Sequence, residues 1–228
     1  MERPQIPLPR TDGYEAEDAK QMLRQIVREH RAQRSQQERS EVGRSLVPRV
    51  LEAVGQARTV AAWVSQGTEP STLASLAALH EQGCTVLLPV LGPGLNRTWG
   101  HYTSAQDLAV RAPGRPPEPS GSVLPAEAVA DADVVLIPAL AIDAHGTRLG
   151  QGGGWYDRVL VHTRPGTPVF AVIHAEELVG DVALPRAEHD VPVGAVITPD
   201  EWFLLEGSAF RAESFANRAS VLDHLAER

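Results

Sequence analysis

The chain of 228 residues is 43% apolar and 22% charged, the balance of a soluble globular protein with one sizeable core. A net charge of −8 argues against a nucleic-acid binder, because phosphate backbones are held by an excess of Lys and Arg. The longest apolar run, Val134 to Ile142, is far short of the ~20 residues of a membrane span, and the first ten residues lack the apolar core of a signal peptide, so a cytoplasmic protein without membrane contact is expected.

Residues 1–15 contain Pro4, Pro7, Pro9 and Gly13 and read as a mobile extension. From Ala16 to Arg34 the residues Met22, Leu23, Ile26 and Val27 recur at helical spacing, and Ser45 to Val54 shows a second such stripe. Five short, β-branched and nearly continuous apolar runs then read as strands covered on both faces: Thr59 to Val64, Thr85 to Val90, Val134 to Ala139, Val169 to Ile173 and Gly194 to Thr198. Helices are expected between them at Pro70 to Gln82, Ala126 to Ala130 and Gly154 to His162. The alternation predicts a three-layer α/β/α sandwich with a mostly parallel central sheet over residues 16–201. Gly92 to Pro125 is rich in Pro and Gly and reads as an elaborated loop or hairpin, with Trp99, His101 and Tyr102 in a short possible strand. Residues 202–228 read as a tail with a short helix from Arg218 to Glu227. Cys84, the single cysteine, excludes an internal disulfide and reads as an inert core thiol.

The densest signal runs from Val134 to Arg158, a strand followed by a glycine loop and a helix start. Gly150, Gly152, Gly153 and Gly154 leave the backbone without Cβ atoms, so its N–H groups can close on an anion. The run is neither a Walker A motif nor G-x-G-x-x-G, since Trp155 stands where the third glycine belongs. Glycine content alone fits a tight packing loop as well as a phosphate cradle. Arg148 and Asp157 bracket the loop; they suit a phosphate and a Mg²⁺ ion, and equally an ordinary ion pair and a first-turn charge. Lys20 and Arg24 lie one helical turn apart and share a face, either toward a polyphosphate or, with Arg28, Arg31 and Arg34, toward solvent.

Pro138-Ala-Leu-Ala-Ile-Asp143 followed by Arg148-Leu-Gly-Gln-Gly-Gly-Gly-Trp-Tyr-Asp157-Arg resembles the signature of 5-formyltetrahydrofolate cyclo-ligases. The resemblance extends to Lys20 and Arg24, to Glu69 in a Gly-x-Glu-Pro-x-Thr stretch, to Glu118-Pro119 and to Glu188-His189-Asp190 before Ile197-Thr198. Departures fall at Ala139, Ile142, Gln151, Trp155 and Glu177, where the family more often has Gly, Phe, an aromatic or basic residue, Tyr and Gln.

The resemblance implies an enzyme that converts 5-formyltetrahydrofolate, with or without a polyglutamate tail, to 5,10-methenyltetrahydrofolate, using ATP as co-substrate and Mg²⁺ as cofactor. It implies a monomer or weak homodimer. It implies catalytic roles for Lys20 and Arg148, and an ATP site from Lys20, Arg24, Arg148 and the loop Leu149, Gly150, Gln151, Gly152, Gly153, Gly154, Trp155 and Tyr156. Glu69, Trp99, Tyr102 and Tyr156 are expected against the folate, and Asp157 and Asp190 at the metal. For Trp99 and Tyr102 a place in the local core is the competing expectation, and for Asp190 a turn before Val191-Pro192. The rival function is a non-catalytic relative that binds nucleotide or folate. Such a binder is expected to lose Lys20, Arg148 or Asp157, and all three are present.

Overall fold

The computed structural model describes residues 5–91, 96–180, 182–187 and 190–205. The main sheet has seven strands: β1 (Thr59–Ala61), β2 (Thr85–Val90), β3 (Thr98–His101), β4 (Val134–Pro138), β5 (Val169–Val172), β6 (Ala195–Ile197) and β7 (Trp202–Leu204). Their order is β7-β6-β5-β4-β1-β2-β3. The five central strands run parallel, and β3 and β7 are antiparallel edges. Buried strands explain the near-continuous apolar runs: Val60, Leu88, Leu136, Phe170 and Ile197 face one core, while Ala61, Leu87, Ile137, Ala171 and Val196 face another.

Helices α2 (Gln36–Val54) and α3 (Leu73–Glu81) cover the first face through Leu46, Val50, Leu76 and Leu79. The second face is covered by the 3₁₀ turn Ala126–Asp131, by α4 (Trp155–Val159) and by the 3₁₀ turn Leu160–His162. The three-layer α/β/α arrangement is therefore present. The segment expected as a helix from Gly154 to His162 is one short α-turn that tightens into 3₁₀. Helix α2 starts at Gln36 rather than Ser45, because Ser35 and Glu38 form a capping box: Glu38 N donates to Ser35 Oγ at 3.2 Å and Ser35 N donates to Glu38 Oε2 at 2.7 Å. An exposed polar first half carries no apolar stripe, so periodicity alone places the start too late.

Helix α1 (Ala16–Ala32) packs on a third cluster with Leu140, Ala141 and Leu149, next to a small sheet of Ala141–Asp143, Arg148–Leu149 and Leu178–Val179. The expected mobile extension is corrected here for its described part. Ile6 and Leu8 are buried against Leu23 and Val27 of α1, and Ile6 N donates to Glu176 O at 2.9 Å. The far end of α1 is fixed by Arg31, whose guanidinium makes a bidentate pair with Glu177 at 2.6 and 2.7 Å and donates to Ala139 O at 2.7 Å. Both side chains are fully buried, so Arg31 does not belong to a solvated basic face. A buried pair of this kind loses about 3–5 kcal/mol when one partner is removed. The pair also gives the unusual Glu177 a physical role, since a carboxylate matches the guanidinium fork.

The domain boundary expected at 201 moves outward, because β7 pairs with β6 through Ile197 and Trp202, and Trp202, Leu204 and Leu205 are buried. The helix expected from Arg218 to Glu227 lies outside the described residues.

Candidate active site

The sheet order places β1 and β4 side by side, with the chain leaving β1 toward β2 and leaving β4 toward β5. At such a switch point the connections diverge and leave a crevice beyond the carboxyl ends of the strands. Two cavities occupy that position. The larger, about 840 Å³, is lined by Lys20, Arg24, Arg148, the glycine loop, Asp157 and Asp190. The smaller, about 170 Å³, is lined by Trp63, Glu69, Pro89, Pro117 and neighbouring residues. Pro138, Trp155 and Tyr156 line both, so the two hollows share a wall. A further hollow of about 370 Å³ lies by Asp133 and Arg164 at the amino ends of the strands, and no motif residue lines it.

The loop is shaped by its glycines and by α1. Gly152 and Gly154 take φ values of 99° and 60°, in the left-handed region open to glycine. A Cβ on Gly150 would stand 2.6 Å from the Arg148 guanidinium, so the absent side chain lets the cation lie against the backbone. Arg24 Nε donates to Gly150 O at 2.9 Å, and Arg28 donates to Gln151 O at 3.2 Å and to Gln151 Oε1 at 2.8 Å. Successive turns of one helix thus grip successive loop carbonyls.

Lys20, Arg24 and Arg148 on the larger cavity each stand beside a carboxylate. Lys20 is 3% exposed, and its Nζ lies 2.6 Å from Asp190 Oδ2 and 3.1 Å from Glu17 Oε1. Arg148 donates to Asp157 Oδ1 at 2.7 Å, and Val191 N approaches the same oxygen at 3.4 Å. Asp190 also accepts from Ala187 N at 2.7 Å, so the turn expected of it is present together with its place on the cavity. Glu188 and His189 lie outside the described residues. Arg148 Nε and Trp155 Nε1 are buried donors with no hydrogen-bond partner among the described residues.

On the smaller cavity, Glu69 Oε2 accepts from Trp63 Nε1 at 3.1 Å and from Gln66 N at 2.9 Å, while Oε1 accepts from Gln151 Nε2 at 3.2 Å. Burial of the Tyr156 phenol, reinforced by the charge of Glu69 and opposed by Arg148, raises its pKa far above the ordinary value. Tyr156 therefore acts as a neutral hydroxyl and a ring face, with the Arg148 guanidinium 6.0 Å from its centroid.

Two expected folate contacts are corrected. Trp99 has no exposed surface: β3 lays it in the core, its Nε1 donates to Ala126 O at 3.1 Å, and its ring meets Trp155 edge-on at 5.1 Å. Tyr102 is buried in the other core against His80. Neither presents a face to a ligand; Trp99 instead braces the Trp155 ring in the shared wall. Trp63 was missed as a lining residue, although its place six residues before Glu69, just past β1, was available as a signal. Glu118 is buried and accepts from Leu91 N at 2.9 Å, which fixes the loop after β2. Asp143 accepts from His145 N, Thr147 N and Leu184 N at 2.8–3.0 Å and so organises the turn that leads into Arg148.

A model of the 5-formyltetrahydrofolate cyclo-ligase family matches residues 16–199. The chain belongs to the 5-formyltetrahydrofolate cyclo-ligase family. A cyclo-ligase from Mycolicibacterium smegmatis is 43% identical over 147 residues, 62% of this chain and 74% of that protein. One from Escherichia coli K12 is 31% identical over 185 residues, covering 78% of this chain and all of the relative. Among solved structures, a 5,10-methenyltetrahydrofolate synthetase from Aquifex aeolicus superposes with a TM-score of 0.67 at 25% identity, over 86% of this chain and 98% of that one. As a cyclo-ligase, the chain is an enzyme of folate one-carbon chemistry that forms a carbon–nitrogen bond, closing 5-formyltetrahydrofolate to the methenyl form.

Proposed function

We propose that this cyclo-ligase drives ring closure with ATP, the polyphosphate lying in the larger cavity and the folate in the smaller. The observation that carries the reading is the shared wall of Pro138, Trp155 and Tyr156. It brings a cation-lined hollow into contact with an apolar one at the carboxyl ends of β1 and β4. In this reading the γ-phosphoryl group passes to the formyl oxygen on N5, ADP leaves, and N10 of the same folate attacks the activated carbon. The N10 proton passes to the departing phosphate as the carbon–oxygen bond breaks, inorganic phosphate is released, and the methenyl bridge is closed. The protein supplies positioning and charge neutralisation.

Lys20, Arg24 and Arg148 are the residues that meet the phosphates. Displacing Asp190 from Lys20 and Asp157 from Arg148 frees both carboxylates at the moment both cations gain a phosphate oxygen. Two aspartates on one cavity suit Mg²⁺, which takes one or two carboxylates with phosphate oxygens and waters, and no cluster of three acidic, His or Cys ligands exists among the described residues to form an all-protein cage. The ion supplies neutralisation of the charge on the transferring phosphoryl group. Glu69, held by Trp63 and Gln66, is placed to accept from ring or amide N–H groups of the folate. The basic wall is occupied by phosphate in this reading, and whether the folate bears a polyglutamate tail does not alter the chemistry.

The test is to mix the protein with MgATP and 5-formyltetrahydrofolate and follow the near-ultraviolet absorbance of the methenyl product. Product that appears only with both substrates supports the reading. ADP release without methenyl product identifies an ATPase, and binding of either substrate without turnover identifies a non-catalytic relative.

A further inference from the structure

Gln151 sits between the two cavities and is bonded to both sides. Its Oε1 accepts from Arg28 of α1 at 2.8 Å, while its Nε2 donates to Glu69 Oε1 at 3.2 Å. Only one orientation of the amide satisfies both neighbours, because the reverse would set NH₂ against the guanidinium and oxygen against the carboxylate. The backbone of the same residue is held by Arg28, and that of Gly150 by Arg24. Immediately after it, Gly152 and Gly154 carry the left-handed φ values, and Arg158 donates to Gly153 O at 3.4 Å. Glu69 receives its other two bonds, from Trp63 and Gln66, on Oε2. Gln151 is therefore the only described side chain that donates to Oε1.

We infer that Gln151 is a positioning residue for the folate subsite: it orients the Glu69 carboxylate from the phosphate loop, so that α1, the loop and the folate cavity are set as one unit. The inference rests on the reading of Glu69 as a folate contact. The donor toward Glu69 is what matters, and this makes side-chain chemistry, rather than length, the determinant. Methionine keeps the length and loses the donor, lysine keeps a donor toward Glu69 while its charge stands against Arg28, and glutamate places a like charge beside Glu69.

The experiment measures KM for 5-formyltetrahydrofolate and for MgATP, with kcat, in Gln151→Met, Gln151→Lys and Gln151→Glu, each checked for an unchanged thermal midpoint. The loss of one solvent-exposed hydrogen bond corresponds to about a 3- to 10-fold rise in folate KM for Gln151→Met. Gln151→Glu is expected to be worse and Gln151→Lys milder than Gln151→Met, and in Gln151→Met the folate KM is expected to rise by a larger factor than the KM for MgATP. The same Gln151→Met change in a Glu69→Ala background is expected to have no further effect on folate KM. Equal folate KM values for the three variants overturn the inference, as does a Gln151→Met effect that persists in full without Glu69. If Glu69→Ala alone leaves folate KM unchanged, the placement of Glu69 at the folate fails first and the inference with it.

Discussion

Lys20 and Arg148 meet the cavity already paired, one with Asp190 and one with Asp157. Exchanging a carboxylate for a phosphate costs little reorganisation, because both cations are held by burial, Lys20 at 3% and Arg148 at 9% exposure. We therefore expect Lys20→Ala and Arg148→Ala each to lower turnover with MgATP by about 10²-fold or more, the scale of one preorganised electrostatic contact. Parent-like turnover in either variant would take that residue out of the site. Asp157→Asn and Asp190→Asn keep shape and remove charge, so each is expected to raise the Mg²⁺ concentration needed for half-maximal activity. An unchanged Mg²⁺ dependence in folded Asp190→Asn would leave that residue only its turn bond to Ala187. At this scale the motif residues were legible, because their chemistry travels with their spacing. The failures, Trp99 and Tyr102, concern burial: whether a ring in a Pro- and Gly-rich segment faces a ligand or a core depends on β3 pairing with β2, which spacing does not encode. The contacts of Gln151 with Arg28 and Glu69 were equally invisible, since they join residues 123 and 82 positions apart.

Helix α1 is the element on which the site depends, because one helix delivers Lys20 and Arg24 to the cavity, Arg28 to the glycine loop and Arg31 to the interior. It is held at two places. Arg31 locks onto Glu177 near its end, and Ile6 and Leu8 press on Leu23 and Val27 along its back. Composition alone read the N-terminal residues as loose, since three prolines and few apolar residues give no periodic stripe. Two side chains in the right place suffice to dock an irregular segment, however. Ile6 is 3% exposed, so Ile6→Ala is expected to lower unfolding free energy by about 2–4 kcal/mol, measured by denaturant titration. A change below about 0.5 kcal/mol, typical of a surface site, would restore the mobile reading.

Across the molecule, five parallel strands were legible as apolar runs, and their alternation with helices carried the layer architecture. Of the antiparallel edges, β3 was legible as the short possible strand around Trp99 and His101, and β7 was not, because it lies in what reads as a tail. The sheet order converts these pieces into function. By setting β1 beside β4 it opens one crevice, and the Glu69 loop and the glycine loop meet in it although 82 residues separate Glu69 from Gln151. The central claim is that the phosphoryl group crosses the shared wall of Pro138, Trp155 and Tyr156 to reach the formyl oxygen. It is tested most directly with 5-formyltetrahydrofolate labelled with ¹⁸O in the formyl group, turned over with MgATP, and the released phosphate examined by mass spectrometry. Transfer through the formyl oxygen predicts that the label appears in inorganic phosphate in step with methenyl formation; phosphate that carries only solvent or ATP oxygen would contradict it.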